Sequence, residues 1–473
     1  MFLLIEGINR VVWGPPTLIL ILIMGTYLTV RMGFVQLRLF PRSVRKFFAL
    51  SDRQNKTEGT SSFQALCTAL AATVGTGNLA GVAGAIAIGG PGTIFWMWVF
   101  AFLGMATKFA EATLAVRFRQ RNSSGEYVGG PMYMIRSAMP KKLRWLAGVY
   151  SFFGVVAAFG VGNATQINTV ISSIRNTVSV FGGSVGRGFE LSLGIPLAIL
   201  IMWMLHKGAT GIGKITEYLV PLVAFAYIVI CVVVLWMCAD RILPCLGMIV
   251  TSAFSPAAAT GGVVGSAIVV IRTGASRGVF TNEAGMGTAS IAHAAAKVAH
   301  PCEQGLMGIM EVFLDTIVIC TLTALVILCS GIAVPYGKDV GVQLTNDAFC
   351  QLLGPWSSVF LSATLSLLAL ATVLGWGVYG ARCAQYLFGE NVWKTFVILQ
   401  GVTVVVGSVL GTGAVWILAE TVNGLMAIPN LIALAYLSPE LLRLTKEYKT
   451  ASGICRKPQR LLRQREGVGR VVN

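Results

Sequence analysis

Two short polar stretches stand where membrane-length runs of apolar residues have no use for them. Thr73-Val74-Gly75-Thr76-Gly77-Asn78 lies inside an apolar run from Phe63 to Gly89, and Asn282-Glu283-Ala284-Gly285-Met286-Gly287-Thr288 interrupts another far downstream. Paired glycines lower helix propensity, and hydroxyl and amide side chains around them favour local unwinding. Backbone N–H and C=O groups freed in a bilayer must face protein, water or a ligand. The chemistry on offer is coordination: N–H groups at the start of a half-helix suit an anion, and freed carbonyls beside hydroxyls suit a hard cation.

Other candidate residues read less sharply. Glu283 is an intramembrane acid inside the second break, fitted either to function or to tying loose N–H groups. Lys108 and Glu111, three apart, read as an ion pair within one helix. Glu311 and Asp315, four apart on one helix face, could hold a metal or protons, but with no E-x-x-H partner they read first as a buried pair hydrogen-bonded to neighbouring helices and only then as a di-metal centre. Asn163, Gln166 and Asn168 bring amides into the fourth span, while Thr372 and Trp376 share a face of a later one and offer a hydroxyl and an aromatic wall.

Several formal motif matches fail on context. Gly274-Ala275-Ser276-Arg277-Gly278 fits G-x-S-x-G without the strand and sharp turn that expose a nucleophile. Gly208 to Lys214 approaches a phosphate loop, but Ile215 stands where Ser or Thr must bind magnesium. His206, His293 and His300 have no metal-ligand spacing, and the ten cysteines include no C-x-x-C pair.

The elements that must position these residues are membrane helices. Of the 473 residues, 55% are hydrophobic and only 12% charged, with a mean hydropathy of +0.75, which excludes a soluble globular domain. Apolar windows of roughly 20 residues give about eleven spans, near 14–34, 63–89, 93–118, 146–174, 189–207, 214–238, 262–297 (interrupted), 305–334, 356–385, 395–416 and 418–438. A net charge of +17 would suit a nucleic-acid binder were it not confined to alternate loops: Arg38 to Lys56, Arg117 to Arg144, and the tail from Arg443. That asymmetry predicts an outside N-terminus, a cytoplasmic C-terminus and an odd number of spans, with no nucleic-acid partner. The partner of the surface is the lipid bilayer.

After a leading helix and basic loop (1–61), the spans divide into two sets of five, 62–239 and 240–440, each headed by its interrupted helix and followed by a basic tail (441–473). An odd number of helices per set forces opposite orientations, so the sets are expected to be inverted repeats whose breaks meet near the midplane. The stretch 240–256 is expected to lie along the outer surface as a short helix. The predicted fold is an all-α polytopic membrane protein with a LeuT-like five-plus-five core, an architecture borrowed from that known example.

At these residues the chain resembles the alanine or glycine:cation symporter family, also called sodium:alanine symporters. The resemblance is carried by Ala72 to Gly81, Gly130-Pro131-Met132-Tyr133, Asn163-Ala164-Thr165-Gln166, Arg277 to Ala289 and Leu374-Gly375-Trp376, and runs from the first helix to about residue 440. It implies a plasma-membrane (bacterial inner-membrane) carrier of small neutral amino acids, chiefly alanine and glycine, with Na+ as the coupling ion and no organic cofactor. A monomer is the working expectation. The family's substrate positions that match are Gly75, Gly77, Asn78, Gln166, Phe280, Thr372 and Trp376. Asn282 and Met286 are added from the second break, Met286 forming an apolar wall with Phe280 and Trp376. Sodium is expected at freed carbonyls with the hydroxyls of Thr73 and Thr372. Ala371 replaces the first of a threonine pair usual in the family, which leaves the ion and its stoichiometry open, whereas Thr281 and Thr288 keep the hydroxyls of serines usual in the second break. A proton-coupled carrier using Glu283 or Asp315, and an intramembrane enzyme acting through Glu311, Asp315 or Ser276, stand as alternatives.

Overall fold

A computed structural model of the chain describes residues 7, 9, 12–51, 59–183, 186–255, 260, 266–338, 341–409 and 412–451. Among these, eight helices are long and apolar enough to cross a membrane, and a bent pair makes a ninth. The shorter apolar helix α1 (Pro15–Arg31) and the interrupted 267–293 segment complete the eleven positions expected. The chain is a multi-pass membrane protein.

The first interrupted helix has identifiable ends. Helix α2 (Ser62–Thr73) starts on a capping box, in which the Ser61 hydroxyl accepts from the Gln64 N–H and the Gln64 side chain accepts from the Ser61 N–H, both at 3.0 Å. It stops at Val74, whose backbone is extended, and resumes through a π-helical turn at Gly77–Gly81 into α3 (Val82–Gly89), bent by 50° from α2. The second interruption uses positive φ instead. Helix α7 (Ala267–Asn282), capped by the Ser266 hydroxyl, ends where Glu283 turns left-handed at φ 54°, and Gly285 and Gly287 follow at 95° and 78°. Three such residues in five end any right-handed helix, and glycine takes the strain at two of them. The half-helix α8 (Thr288–His293) follows.

Between these lie α4 (Gly92–Arg117), then Trp145–Phe159 joined by a π-helical turn, Gly160–Ala164, to α5 (Thr165–Val180), then Arg187–His206 and α6 (Gly208–Met237). After α8 come α9 (Pro301–Val312), a π-helical turn at Phe313–Cys320, α10 (Thr321–Cys329), α11 (Ser357–Phe388), α12 (Trp393–Val409) and α13 (Thr412–Ala451). The α4 helix packs along α7 and α9, and α2 lies against α11 and α6, so both breaks are enclosed by other helices. A β-carbon placed on Gly77 would touch the Thr281 hydroxyl at 3.4 Å, which is how closely the two breaks approach.

A helix at Ala239–Ser252 occupies the stretch expected at 240–256. Its last residue and the lead-in to the second break, 256–259 and 261–265, lie outside the described residues, as do Arg53, Lys56 and the tail beyond 451. Helix α13 runs through residue 440 unbroken, so the boundary expected there falls inside one element. Sequence reading passed over Val342–Leu353, a helix of amphipathic character too short to span.

Candidate functional site

The two breaks meet around a small cavity with about 20 Å³ of free space. The first break contributes Thr73, Gly75, Thr76 and Gly77; the second contributes Phe280, Thr281 and Glu283; α5 brings Gln166, and α11 brings Thr372 and Trp376. Ala72 and Val161 complete the lining. Thr372 and Trp376 reach the same cavity because four residues make about one helical turn.

Polar order here follows donor counting. The Gln166 amide group donates to the Val161 carbonyl at 3.0 Å, so its oxygen faces the first break and accepts from the Thr76 hydroxyl at 3.1 Å. The hydroxyls of Thr73 and Thr372 donate to Ala69 and Leu368 carbonyls, one turn back, at 3.3 and 3.0 Å. Each has then committed its single hydrogen and presents only lone pairs to the cavity, as a hard cation requires. Thr76 and Gly77 open the second segment of the broken helix, where N–H groups have no partner four residues back and the dipole favours an anion. At the second break the equivalent groups are taken: Glu111 Oε1 accepts from the Gly285 and Gly287 N–H groups at 3.0 and 3.1 Å and from Asn430 at 2.7 Å. An anionic ligand therefore has the first break to itself.

Apolar walls come from Trp376, 1% exposed, from Val161 and from Phe280. Gly162 makes room for the tryptophan, since a β-carbon there would lie 2.3 Å from Trp376 Cβ. Phe280 separates the site from a wider vestibule of about 330 Å³ lined by Trp13, Arg272, Arg277 and Glu420, and packs edge-on to Trp13 with ring centroids 6.2 Å apart.

Three expected site residues are placed differently. Met286 is fully buried in the main apolar core and does not line the cavity, because the left-handed turn around Gly285 and Gly287 points that loop towards Ile21, Leu431 and Pro131. Asn78 turns away from the cavity, accepting from the Gly75 N–H at 2.8 Å and donating to Asp315 at 2.8 Å. Asn282 likewise binds Thr316 and the Ala284 N–H, at 3.2 and 3.0 Å. Both asparagines hold the breaks in shape rather than line the space between them.

The charged residues also rearrange. Lys108 pairs with Glu311 at 2.9 Å across to α9, not with Glu111 on its own helix, and Glu311 also meets His293 Nε2 at 2.8 Å. Glu311 and Asp315 are both buried and bonded to neighbouring helices, as expected, Glu311 to Lys108 and Asp315 to Asn78, with a π-helical turn at Phe313–Cys320 around Asp315. Among the described residues no group of three or more His, Cys, Asp or Glu is arranged to hold a metal ion. Ser276 sits within α7 and Lys214 within α6, with no elbow or phosphate loop around either. Thr76 and Thr281, which line the cavity, and Glu111, which braces the second break, were not among the expected binding residues; three π-helical turns, at 77–81, 160–164 and 313–320, flank this region, and such turns often mark functional sites. The Gly160-Val161-Gly162 run was the sequence signal for the second of them.

Comparison with known proteins places the fold and the family. The structure resembles that of MhsT in complex with L-phenylalanine, with a TM-score of 0.57 at 17% identity, covering 82% of this chain and 99% of the other, which shows the shared LeuT-like fold. The sodium/alanine symporter AgcS of Methanococcus maripaludis is 42% identical over 94% of this chain and 96% of its own length. A probable sodium/glutamine symporter, GlnT of Bacillus subtilis, is 36% identical over 93% and 89%. The model of the sodium:alanine symporter family matches residues 2–460, and the chain belongs to that family.

Proposed function

We propose that this sodium-coupled amino-acid symporter imports alanine, and glycine beside it, across the plasma membrane, with the N-terminus outside and the C-terminus in the cytoplasm. The observation that carries the reading is the small cavity between the breaks, whose walls are Trp376, Phe280 and Val161. Its free space of about 20 Å³ is little more than the roughly 10–15 Å³ a single water needs, so the smallest side chains enter with the least rearrangement of these walls. The substrate carboxylate sits against the N–H groups at Thr76 and Gly77, and its side chain faces Phe280 and Trp376. Sodium is held by backbone carbonyls freed at the first break together with the Thr73 and Thr372 hydroxyl oxygens. Ion and substrate stabilise one closed arrangement of the same broken helix, so each raises the other's affinity.

The test is uptake of labelled alanine into proteoliposomes under an imposed sodium gradient at constant pH, with unlabelled glycine, serine, valine, leucine and glutamine as competitors. Sodium-driven uptake with competition restricted to small side chains is expected. Uptake that follows a pH gradient and ignores sodium would overturn the ion assignment, and equal competition by glutamine would overturn the substrate assignment.

A further inference from the structure

An unbroken chain of hydrogen bonds joins the backbone of one break to that of the other, and Asp315 is its centre. The Gly75 N–H donates to Asn78 Oδ1 at 2.8 Å, and Asn78 Nδ2 donates to Asp315 Oδ1 at 2.8 Å and to the Asp315 carbonyl at 3.1 Å. Asp315 Oδ2 accepts from the Thr316 hydroxyl at 2.8 Å. That hydroxyl oxygen accepts from Asn282 Nδ2 at 3.2 Å, and Asn282 Oδ1 accepts from the Ala284 N–H at 3.0 Å. Asn78, Asp315, Thr316 and Asn282 are all buried, so leaving one of them without a partner costs the desolvation of a polar group.

The direction of every bond follows from one group. A carboxylate only accepts, so it draws the Asn78 amide nitrogen towards itself and leaves the Asn78 oxygen for Gly75. It also takes the only hydrogen of Thr316, so Thr316 can only accept from Asn282, which leaves the Asn282 oxygen for Ala284. Asparagine at 315 would break this order. Facing Asn78 with its oxygen, it donates its amide hydrogen to Thr316, whose own hydrogen is released and is free to compete with the Ala284 N–H for Asn282 Oδ1, so the Asn282 amide loses its fixed orientation.

We propose that Asp315 is a positioning residue that couples the two helix breaks, orienting the Asn78 and Asn282 amides so that occupation of the first break is transmitted to the second. The proposal rests on the reading of the cavity as the amino-acid site. Gly75 lines that cavity, and Ala284 follows Glu283, which lines it from the other side. Displacement of the first break by a ligand is thus carried through four side chains to the turn that aims Phe280 and Thr281.

Two measurements on the purified full-length chain in nanodiscs decide it. The first is hydrogen exchange at 75–78 and 284–288 without ligand, in wild type, Asp315→Asn, Thr316→Val and Thr316→Ser. Faster exchange at 284–288 is expected for Asp315→Asn and Thr316→Val, and wild-type exchange for Thr316→Ser, which restores the hydroxyl. The second is the ratio of alanine affinities with sodium and with choline at fixed pH. That ratio is expected to fall at least about fivefold in Asp315→Asn and Thr316→Val, the lower end of usual coupling strengths, and to be kept by Thr316→Ser. Because Thr316→Val leaves the carboxylate in place, a wild-type ratio there overturns the relay even if Asp315→Asn is inactive or fails to fold. Equal loss in the serine and valine variants overturns it as well. A wild type whose alanine affinity ignores sodium would instead sink the transport reading, and the exchange measurement would still decide the relay.

Discussion

Gly75 lies directly beneath Thr372: a β-carbon built on the glycine would stand 2.6 Å from the threonine hydroxyl oxygen, inside any permitted contact. The same carbon on Gly77 would meet Thr281 only at 3.4 Å, an ordinary approach. The two glycines of the first break are therefore unequal. Gly75→Ala should displace Thr372 and weaken sodium-dependent alanine binding by the about 1–3 kcal/mol of an overpacked site. Gly77→Ala should bind within about threefold of wild type, less than 1 kcal/mol. Equilibrium binding of labelled alanine checks both, and equal losses would show that helix restoration, not the Thr372 contact, governs the break.

Phe280 and Met286 should separate selectivity from stability. Phe280→Ala opens the wall between cavity and vestibule, so valine and leucine should enter the competition profile while alanine weakens. Met286 packs in the core instead, and Met286→Ala should cost about 2–5 kcal/mol of stability without changing the order of competitors. Thermal unfolding in detergent and competition uptake read the two effects; a broadened profile in Met286→Ala would return that residue to the pocket.

Lys108 and Glu311 are both fully shielded from solvent at 2.9 Å. Removing one partner leaves an uncompensated buried charge, so Lys108→Met alone should destabilise by about 3–5 kcal/mol. The double variant Lys108→Met with Glu311→Gln should recover much of that loss, because neither charge is stranded. A double-mutant cycle in thermal unfolding checks it, and simple additivity would deny the pairing. His293, bonded to Glu311 and to Gln304, keeps both partners in Lys108→Met and keeps Gln304 in the double variant.

Outside the spans, Glu126 ties the hairpin of Gln120–Arg121 and Tyr127–Val128 to the end of α11 through Arg382 at 2.7 Å and to α6 through Thr210 at 3.0 Å. Partial burial pushes the carboxyl up, but the hydrogen bond and charge of Arg382 outweigh it and hold Glu126 below its ordinary 4.5. A depressed carboxylate stabilises above its unfolded value and loses that contribution only as pH falls through the lower folded value. The hairpin should therefore keep its protection from hydrogen exchange between pH 7 and pH 5 and lose it in more acidic buffer. Glu126→Gln should show raised exchange over 119–130 throughout that range.

How much of this was legible beforehand depends on the range of the physics involved. The interruptions at Gly75–Asn78 and Asn282–Thr288, the number of spans, and the shared face of Thr372 and Trp376 are local: glycine propensity, apolar length and helical repeat act within a few residues, so sequence alone determined them. What the freed backbone groups would meet was decided only by tertiary structure. Spacing within one helix paired Lys108 with Glu111, but the rotation of α4 against α9 gives Lys108 to Glu311 and Glu111 to the N–H groups of Gly285 and Gly287. Two left-handed glycines turn Met286 into the core, and a π-helical turn sets Asp315 against Asn78 from 237 residues away. A buried donor or acceptor must find a partner, yet which one it finds depends on how helices are rotated and packed against each other, and no local pattern encodes that rotation.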